Sequence, residues 1–219
     1  GPMLLRALRS KHRFSATSVD QLPHMLAAHS MFGHQLRLPV PDLDRCDFLI
    51  VLGANPLVSN GSLMSAPNIR ERLRGIGERG RVVVVDPRRT ETAEFAGHHH
   101  FIRPGSDAFF LLALMHELFR LGPELGRLAP LSDNIDRLRE WSDGFDAERA
   151  APHCGIDAAT IRALARELRD TKRAALYGRM GVCTQRFGGL NGMLVYAVNL
   201  LAGNLDRPGG LMFATPALD

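Results

Sequence analysis

Short, wholly apolar runs alternate with longer amphipathic ones along this chain. Phe48–Leu52 (Phe-Leu-Ile-Val-Leu) is continuous, rich in β-formers and too short for a typical helix, so it reads as a buried strand. It runs into Gly53, Ala54, Asn55 and Pro56, where glycine frees the backbone, asparagine offers donors and acceptors, and proline stops the ladder. Arg81–Val85, with its four valines, reads as a second strand ending in Asp86, Pro87 and Arg88. Phe101 and Ile102 read as a short third strand, followed by a turn through Pro104 and Gly105 and a helix start at Asp107. Arg173–Tyr177 reads as another strand, closing at Gly178.

Helical periodicity fills the intervals. Helices are predicted over 67–78, 90–96, 108–121, 157–169 and 190–201, with further short pieces around 135–141. The stretch 108–121 is apolar nearly all round and is expected to be buried; 157–169 is clearly amphipathic. A strand–helix–strand unit of roughly 35 residues is the size of a βαβ crossover, which sets its strands parallel. The expected fold is therefore α/β: a mostly parallel, Rossmann-like sheet flanked by helices on both faces. Residues 1–45 read as a lead-in, with a basic amphipathic segment over 3–9 and a helix through Met25–Met31 that Ser18 or Asp20 could cap and Gly33 would end. Residues 46–219 form the α/β region. In an open parallel sheet, ligands bind outside the carboxyl ends of the strands, which places the three strand-end turns at the expected site.

Composition changes this picture little. The net charge of +4, from 27 basic and 23 acidic residues, favours an anionic ligand only mildly. There is no Lys/Arg cluster interleaved with aromatics, so nucleic acid is not an expected partner. Three cysteines, Cys46, Cys154 and Cys183, stand at scattered positions with no C-x-x-C, so no zinc site or iron–sulfur cluster is encoded in the chain. No apolar run approaches the ~20 residues of a membrane span, and a reducing, cytoplasmic setting is the expectation.

The candidate chemistry lies at the strand ends. No Gly-x-Ser-x-Gly, His-Glu-x-x-His or P-loop is present, so no catalytic residue is nominated. Gly53-Ala-Asn-Pro also lacks the glycines of G-x-G-x-x-G, which disfavours a standard NAD site. Asp86 can accept hydrogen bonds from ribose hydroxyls or a base edge, and Arg88 can neutralise phosphate; equally, Asp86-Pro87-Arg88 can be a plain turn with a surface ion pair. Asp107 can recognise a purine's amino group or simply cap its helix. His98-His99-His100 suggests a metal cluster. However, successive residues of a strand point to opposite faces and cannot all converge on one ion, so no metal site is assigned.

Five motifs in one order give these turns a context. They are Gly53-Ala-Asn-Pro56 with Ser59-Asn-Gly-Ser62; Val85-Asp-Pro-Arg-Arg-Thr-Glu-Thr92; Ile102-Arg-Pro-Gly-Ser-Asp107; Gly178-Arg-Met-Gly-Val182 with Thr184-Gln185; and Leu200–Gly210. Together they resemble the central cofactor-binding region of the molybdopterin oxidoreductases, the dimethyl sulfoxide reductase family. The resemblance implies that Gly53, Ala54, Asn55, Asp86, Pro87, Arg88, Pro104, Gly105 and Asp107 hold the guanosine diphosphate arm of a molybdopterin guanine dinucleotide. Asp107 matches the acid that reads the guanine. Met180, Gly181 and Gln185 match a loop that approaches the pterin near molybdenum. In the family the metal's ligand comes from a segment that would precede this chain, so Cys183 reads as a packing residue. The family's iron–sulfur cysteines and C-terminal cofactor-binding domain are not in the chain, which implies a fragment of a larger enzyme of formate or nitrate type. Its partners would then be the remaining domains and an unknown redox protein, and the chain alone is expected to be inactive. The rival reading is a non-catalytic nucleotide-binding or interaction module that kept the fold and lost the cofactor. The distinguishing feature is whether Asn55, Asp86 and Asp107 converge on one crevice.

Overall fold

The computed structural model describes residues 2–12 and 14–215. In chain order the helices are α1 (Pro2–Ala7), α2 (Thr17–Asp20), α3 (Leu22–Phe32), α4 (Pro56–Ser59), α5 (Ile69–Arg79), α6 (Glu91–Ala96), α7 (Asp107–Leu121), α8 (Ile135–Ser142), α9 (Ala147–Cys154), α10 (Ala158–Asp170), α11 (Met180–Cys183) and α12 (Gly188–Leu201). The strands are β1 (Val40–Pro41), β2 (Phe48–Leu52), β3 (Arg81–Val85), β4 (His98–His100), β5 (Ala174–Gly178) and β6 (Leu211–Met212).

Four strands form a parallel sheet in the order β4-β3-β2-β5. Both faces of the central strands are buried, which is why they read as continuous apolar runs rather than alternating ones. The period of two is still present. Phe48, Ile50, Leu52, Val83, Val85 and Leu176 face a large helical layer built from α7, α10 and α12. Leu49, Val51, Val82, Val84 and Tyr177 face the opposite side, where α5 contributes Ile69, Leu73 and Ile76. The α/β architecture with helices on both faces is the expected one. Helix α3 of the lead-in packs on α12, with Ala27 against Gly192, and β1 pairs antiparallel with β6.

Strand β5 is a sheet edge, and α12 covers it. Asn199 accepts from the Leu176 amide at 3.0 Å and donates to the Leu176 carbonyl at 2.8 Å. Both backbone groups that point away from β2 are thereby satisfied by one buried side chain.

Three local expectations need correction. The short strand lies at His98–His100, not at Phe101-Ile102: the histidines pair with Val83–Val85, while Phe101 is 60% exposed and the Arg103 amide is held by the Cys154 carbonyl. Pro56 starts a turn of helix where a polar turn was expected, because proline at the first helical position is pre-organised for it. Helix α9 forms beyond the short pieces expected around 135–141, where the sequence predicts no helix. Asp146 caps it by accepting from the Arg149 amide, and Pro152 sits inside it near its carboxyl end.

Candidate functional site

The strands end together. Leu52 pairs with Val85 on one side and Gly178 on the other, and Val85 pairs with His100. The turns after these residues therefore lie along one edge. From β2 the chain moves one way to β3, and it returns later to place β5 on β2's other flank, so the topological switch lies between the ends of β2 and β5.

At that switch Gly53 and Gly181 touch backbone to backbone. The Gly181 amide donates to the Gly53 carbonyl at 2.9 Å. Gly53 has φ +57°, and a Cβ there would lie 2.9 Å from the Val182 nitrogen. A Cβ on Gly181 would lie 2.9 Å from the Gly53 Cα. Packing alone accounts for both glycines. Ala54 is buried beside them.

Asn55 is engaged by the protein itself. Its oxygen accepts from the Thr92 hydroxyl at 2.7 Å and its amide donates to Glu91 at 2.7 Å, so it ties the β2 exit to the start of α6. Thr90 caps that helix.

Asp86 accepts from the Arg88 amide at 2.8 Å, which closes the expected turn through Pro87. The Arg88 guanidinium lies 3.7 Å from Glu91 in an exposed pair that contributes little. The Asp86 carbonyl accepts from the His99 ring at 2.9 Å, so His99 braces the turn. Among the described residues no group of three or more His, Cys, Asp and Glu side chains is placed to hold a metal ion.

Pro104 and Gly105 (φ +77°) turn the chain into α7. Ser106, not Asp107, occupies the cap position, and its side chain makes no capping bond. Asp107 is the first residue of the helix, 5% exposed, and accepts from Gln185 at 2.8 Å. Gln185 also donates to the Gly181 carbonyl at 2.7 Å, so it joins the β5 exit to the start of α7. Met180 stands 54% exposed on the same loop.

The electrostatics of this edge are unusual for a structural turn. Neither Asp86 nor Asp107 forms an ion pair among the described residues. Burial pushes the Asp107 carboxyl above its ordinary value; the Gln185 bond opposes this and the charge of Asp86 adds to it. Burial likewise raises Asp86, against the Arg88 amide bond. Two under-compensated carboxyls within each other's field are an arrangement that hydrogen-bond donors from a ligand would relieve. Cys183 is different: burial pushes its thiol up to about 12, which makes it a packing residue rather than a thiolate.

Two side chains that the motifs did not nominate lie behind the edge. Arg179 is buried at the end of β5 and bonds Ser62 and the Asp20 carbonyl. His24, from α3, is buried with both ring nitrogens unpartnered. Arg179 stands inside the Gly178–Val182 motif, while nothing local in the sequence marks His24. A cavity of about 760 Å³ lies elsewhere, among α3, α8 and α12, lined by Phe32, Trp141 and Met193. It is mostly apolar and distant from the two carboxyls, so the strand-end edge is the better candidate.

Comparisons with known proteins bear on this edge. A family model described as molybdopterin oxidoreductase matches residues 4–214. Formate dehydrogenase H of Escherichia coli is 26% identical over 85% of this chain and 26% of its own length. The molybdopterin-containing subunit of the arsenate respiratory reductase of Chrysiogenes arsenatis is 30% identical over 78% of this chain and 22% of its own. A menaquinone reductase, molybdopterin-binding-like subunit, from Nitratidesulfovibrio vulgaris is 29% identical over 78% of this chain and 24% of its own. Acetylene hydratase from Pelobacter acetylenicus shares the fold, with a TM-score of 0.74 at 18% identity over 91% of this chain and 26% of that one. The chain thus spans about a quarter of the length of these proteins.

Proposed function

Because the chain belongs to the molybdopterin oxidoreductase family, we propose that its strand-end edge holds the guanosine diphosphate arm of a molybdopterin guanine dinucleotide. The observation that carries the reading is Asp107: a buried carboxyl that forms no ion pair among the described residues, raised by burial and held in place by Gln185. Guanine presents adjacent N–H donors that a carboxylate can accept together, whereas adenine presents no such pair. Asp86 would take ribose hydroxyls and Arg88 a phosphate. Pro87, Pro104 and Gly105 shape the turns; Gly53, Ala54 and Asn55 form the floor; Met180 and Gly181 form the neighbouring wall. Gln185 orients Asp107 rather than reading the base itself.

The molybdenum centre of a family cofactor supplies two-electron redox chemistry, and this chain's part is to bind and orient. The chemistry of formate or nitrate type and the partnership with further domains belong to a longer protein. One relative's description as molybdopterin-binding-like keeps a second reading in view, a module that retains the fold without catalysis.

Thermal unfolding in the presence of GDP, ADP and NAD tests the proposal. A ligand at a hundred times its dissociation constant adds about 2.7 kcal/mol, equivalent to about 5–10 °C at this size. GDP alone is expected to raise the midpoint. An equal or larger rise with ADP or NAD would overturn the guanine assignment.

A further inference from the structure

The stretch between α4 and α5 carries no residue assigned above, yet it holds four of the seven non-glycine residues with positive φ among the described residues. Asn60 (φ 50°), Ser62 (53°), Ser65 (44°) and Asn68 (54°) are all left-handed without being glycine. Such residues persist where their surroundings over-determine them. Here the end of β5 does so: Tyr177 donates to the Gly61 carbonyl at 3.2 Å, and Arg179 Nε donates to Ser62 Oγ at 3.0 Å.

Arg179 is only 8% exposed. Its Nη1 donates to the Asp20 carbonyl at 2.8 Å. Its Nη2 has no acceptor among the described residues, and no carboxylate of those residues lies within ion-pair distance of the guanidinium. Nor does Nη2 count among the atoms sealed from solvent without a partner. A guanidinium buried to this degree without an anion is expensive. Ser62, which Arg179 grips, also lines an open cleft of about 620 Å³ with Ser59, Asn60 and Ser65. Because the Ser62 oxygen accepts from arginine, its hydrogen is left to donate. The side chains of Asn60 and Ser65 are exposed and make no hydrogen bond within the described residues.

We propose that this cleft is a binding site for a small free oxyanion of phosphate type. Arg179 supplies the charge, Ser62 transmits it through its hydroxyl, and Asn60 and Ser65 supply further donors. The site stands on the β5 flank of the edge and is independent of the guanine assignment at Asp107.

The test is a titration of the 219-residue chain with inorganic phosphate, with chloride as the ionic-strength control, followed by calorimetry and by the Arg179 Nε–H resonance. Saturable binding that moves this resonance is expected. Ser65→Ala, which removes an exposed hydroxyl the fold does not use, should weaken it about tenfold, the cost of one charge-assisted hydrogen bond. Ser62→Ala should weaken it at least as much. An unmoved Arg179 resonance, or wild-type affinity in Ser65→Ala, would overturn the proposal. So would a response to GDP without one to phosphate, since the anion would then be the nucleotide's own. Asp107→Asn distinguishes the two sites: phosphate binding should survive it whether or not GDP binding does.

Discussion

His24 should make this protein acid-sensitive between about pH 6.5 and 4. It is 2% exposed on α3, and neither ring nitrogen has a partner among the described residues. The Tyr196 ring centroid is 6.4 Å away, and Gly192 of α12 packs against the imidazole. Burial, with the charge of Arg179 second, lowers its pKa from 6.5 to about 4. The sign follows from proton counting. Between about pH 6.5 and 4 the unfolded chain binds a proton on His24 that the folded chain does not, so stability is full above the unfolded value and is lost as pH falls. A shift of this size corresponds to about 3.4 kcal/mol once both states are titrated, and to about 2 kcal/mol by pH 5. The assay is urea unfolding of wild type and His24→Leu at pH 8, 7, 6 and 5. Leucine removes both the titration and the two unpartnered nitrogens, so the variant should match or exceed wild type at pH 8. The gap in its favour should then widen by about 2 kcal/mol by pH 5. Taking the difference cancels groups common to both proteins, including His100, whose pKa is also lowered by burial. Parallel pH profiles for the two proteins would refute the reasoning.

Two further variants probe the site and the scaffold separately. Because burial raises the Asp107 pKa, its ionised form costs stability at neutral pH, and that cost grows as pH rises through the folded value. Asp107→Asn keeps an oxygen for Gln185 and drops the charge, so it should raise the melting midpoint at pH 7 while removing the GDP-induced rise; a lower midpoint would contradict it. Asn199→Leu strips the partner from both Leu176 backbone groups at the edge of the sheet and should cost about 3 kcal/mol in urea unfolding, with a loss below 1 kcal/mol counting against the edge-cover role.

The strands were legible because burial on both faces leaves an uninterrupted apolar signature, as in Phe48–Leu52. Their parallel direction also followed from crossover size, since a βαβ unit sets its strands parallel. What stayed hidden was contact between distant segments. Nothing near Gly53 or Gly181 announces that their backbones meet, although they lie on adjacent strands' exits. The Gln185–Asp107 bond spans 78 positions, so each residue could be nominated singly but not as a pair. The third strand was misplaced by a few residues because histidines are weak strand signals and Phe101 a strong one. In the structure, pairing to Val83–Val85 outweighs that preference. His24 carries no local pattern and Arg179 only its place inside the Gly178–Val182 motif; the character of both comes from burial, which only the packing of α3 on α12 and the β5 exit creates.

The motif residues divide by what the fold already asks of them. Gly53 and Gly181 are required by each other, and Asn55 is required by Thr92 and Glu91. Loss of ligand binding in variants of these three would follow from a disturbed edge whether or not they touch a nucleotide. Asp86 and Asp107 are the opposite case. Both are buried enough to be raised by it, neither forms an ion pair among the described residues, the charges of Arg88 and His99 only partly offset the rise of Asp86, and the charge of Asp86 adds to that of Asp107. A fold selected for stability alone would replace such a pair with neutral side chains of similar shape, since the Gln185 bond needs only an acceptor. Donors that arrive from outside the chain would relieve both, and it is on these two acids, rather than on the glycines, that the nucleotide proposal stands.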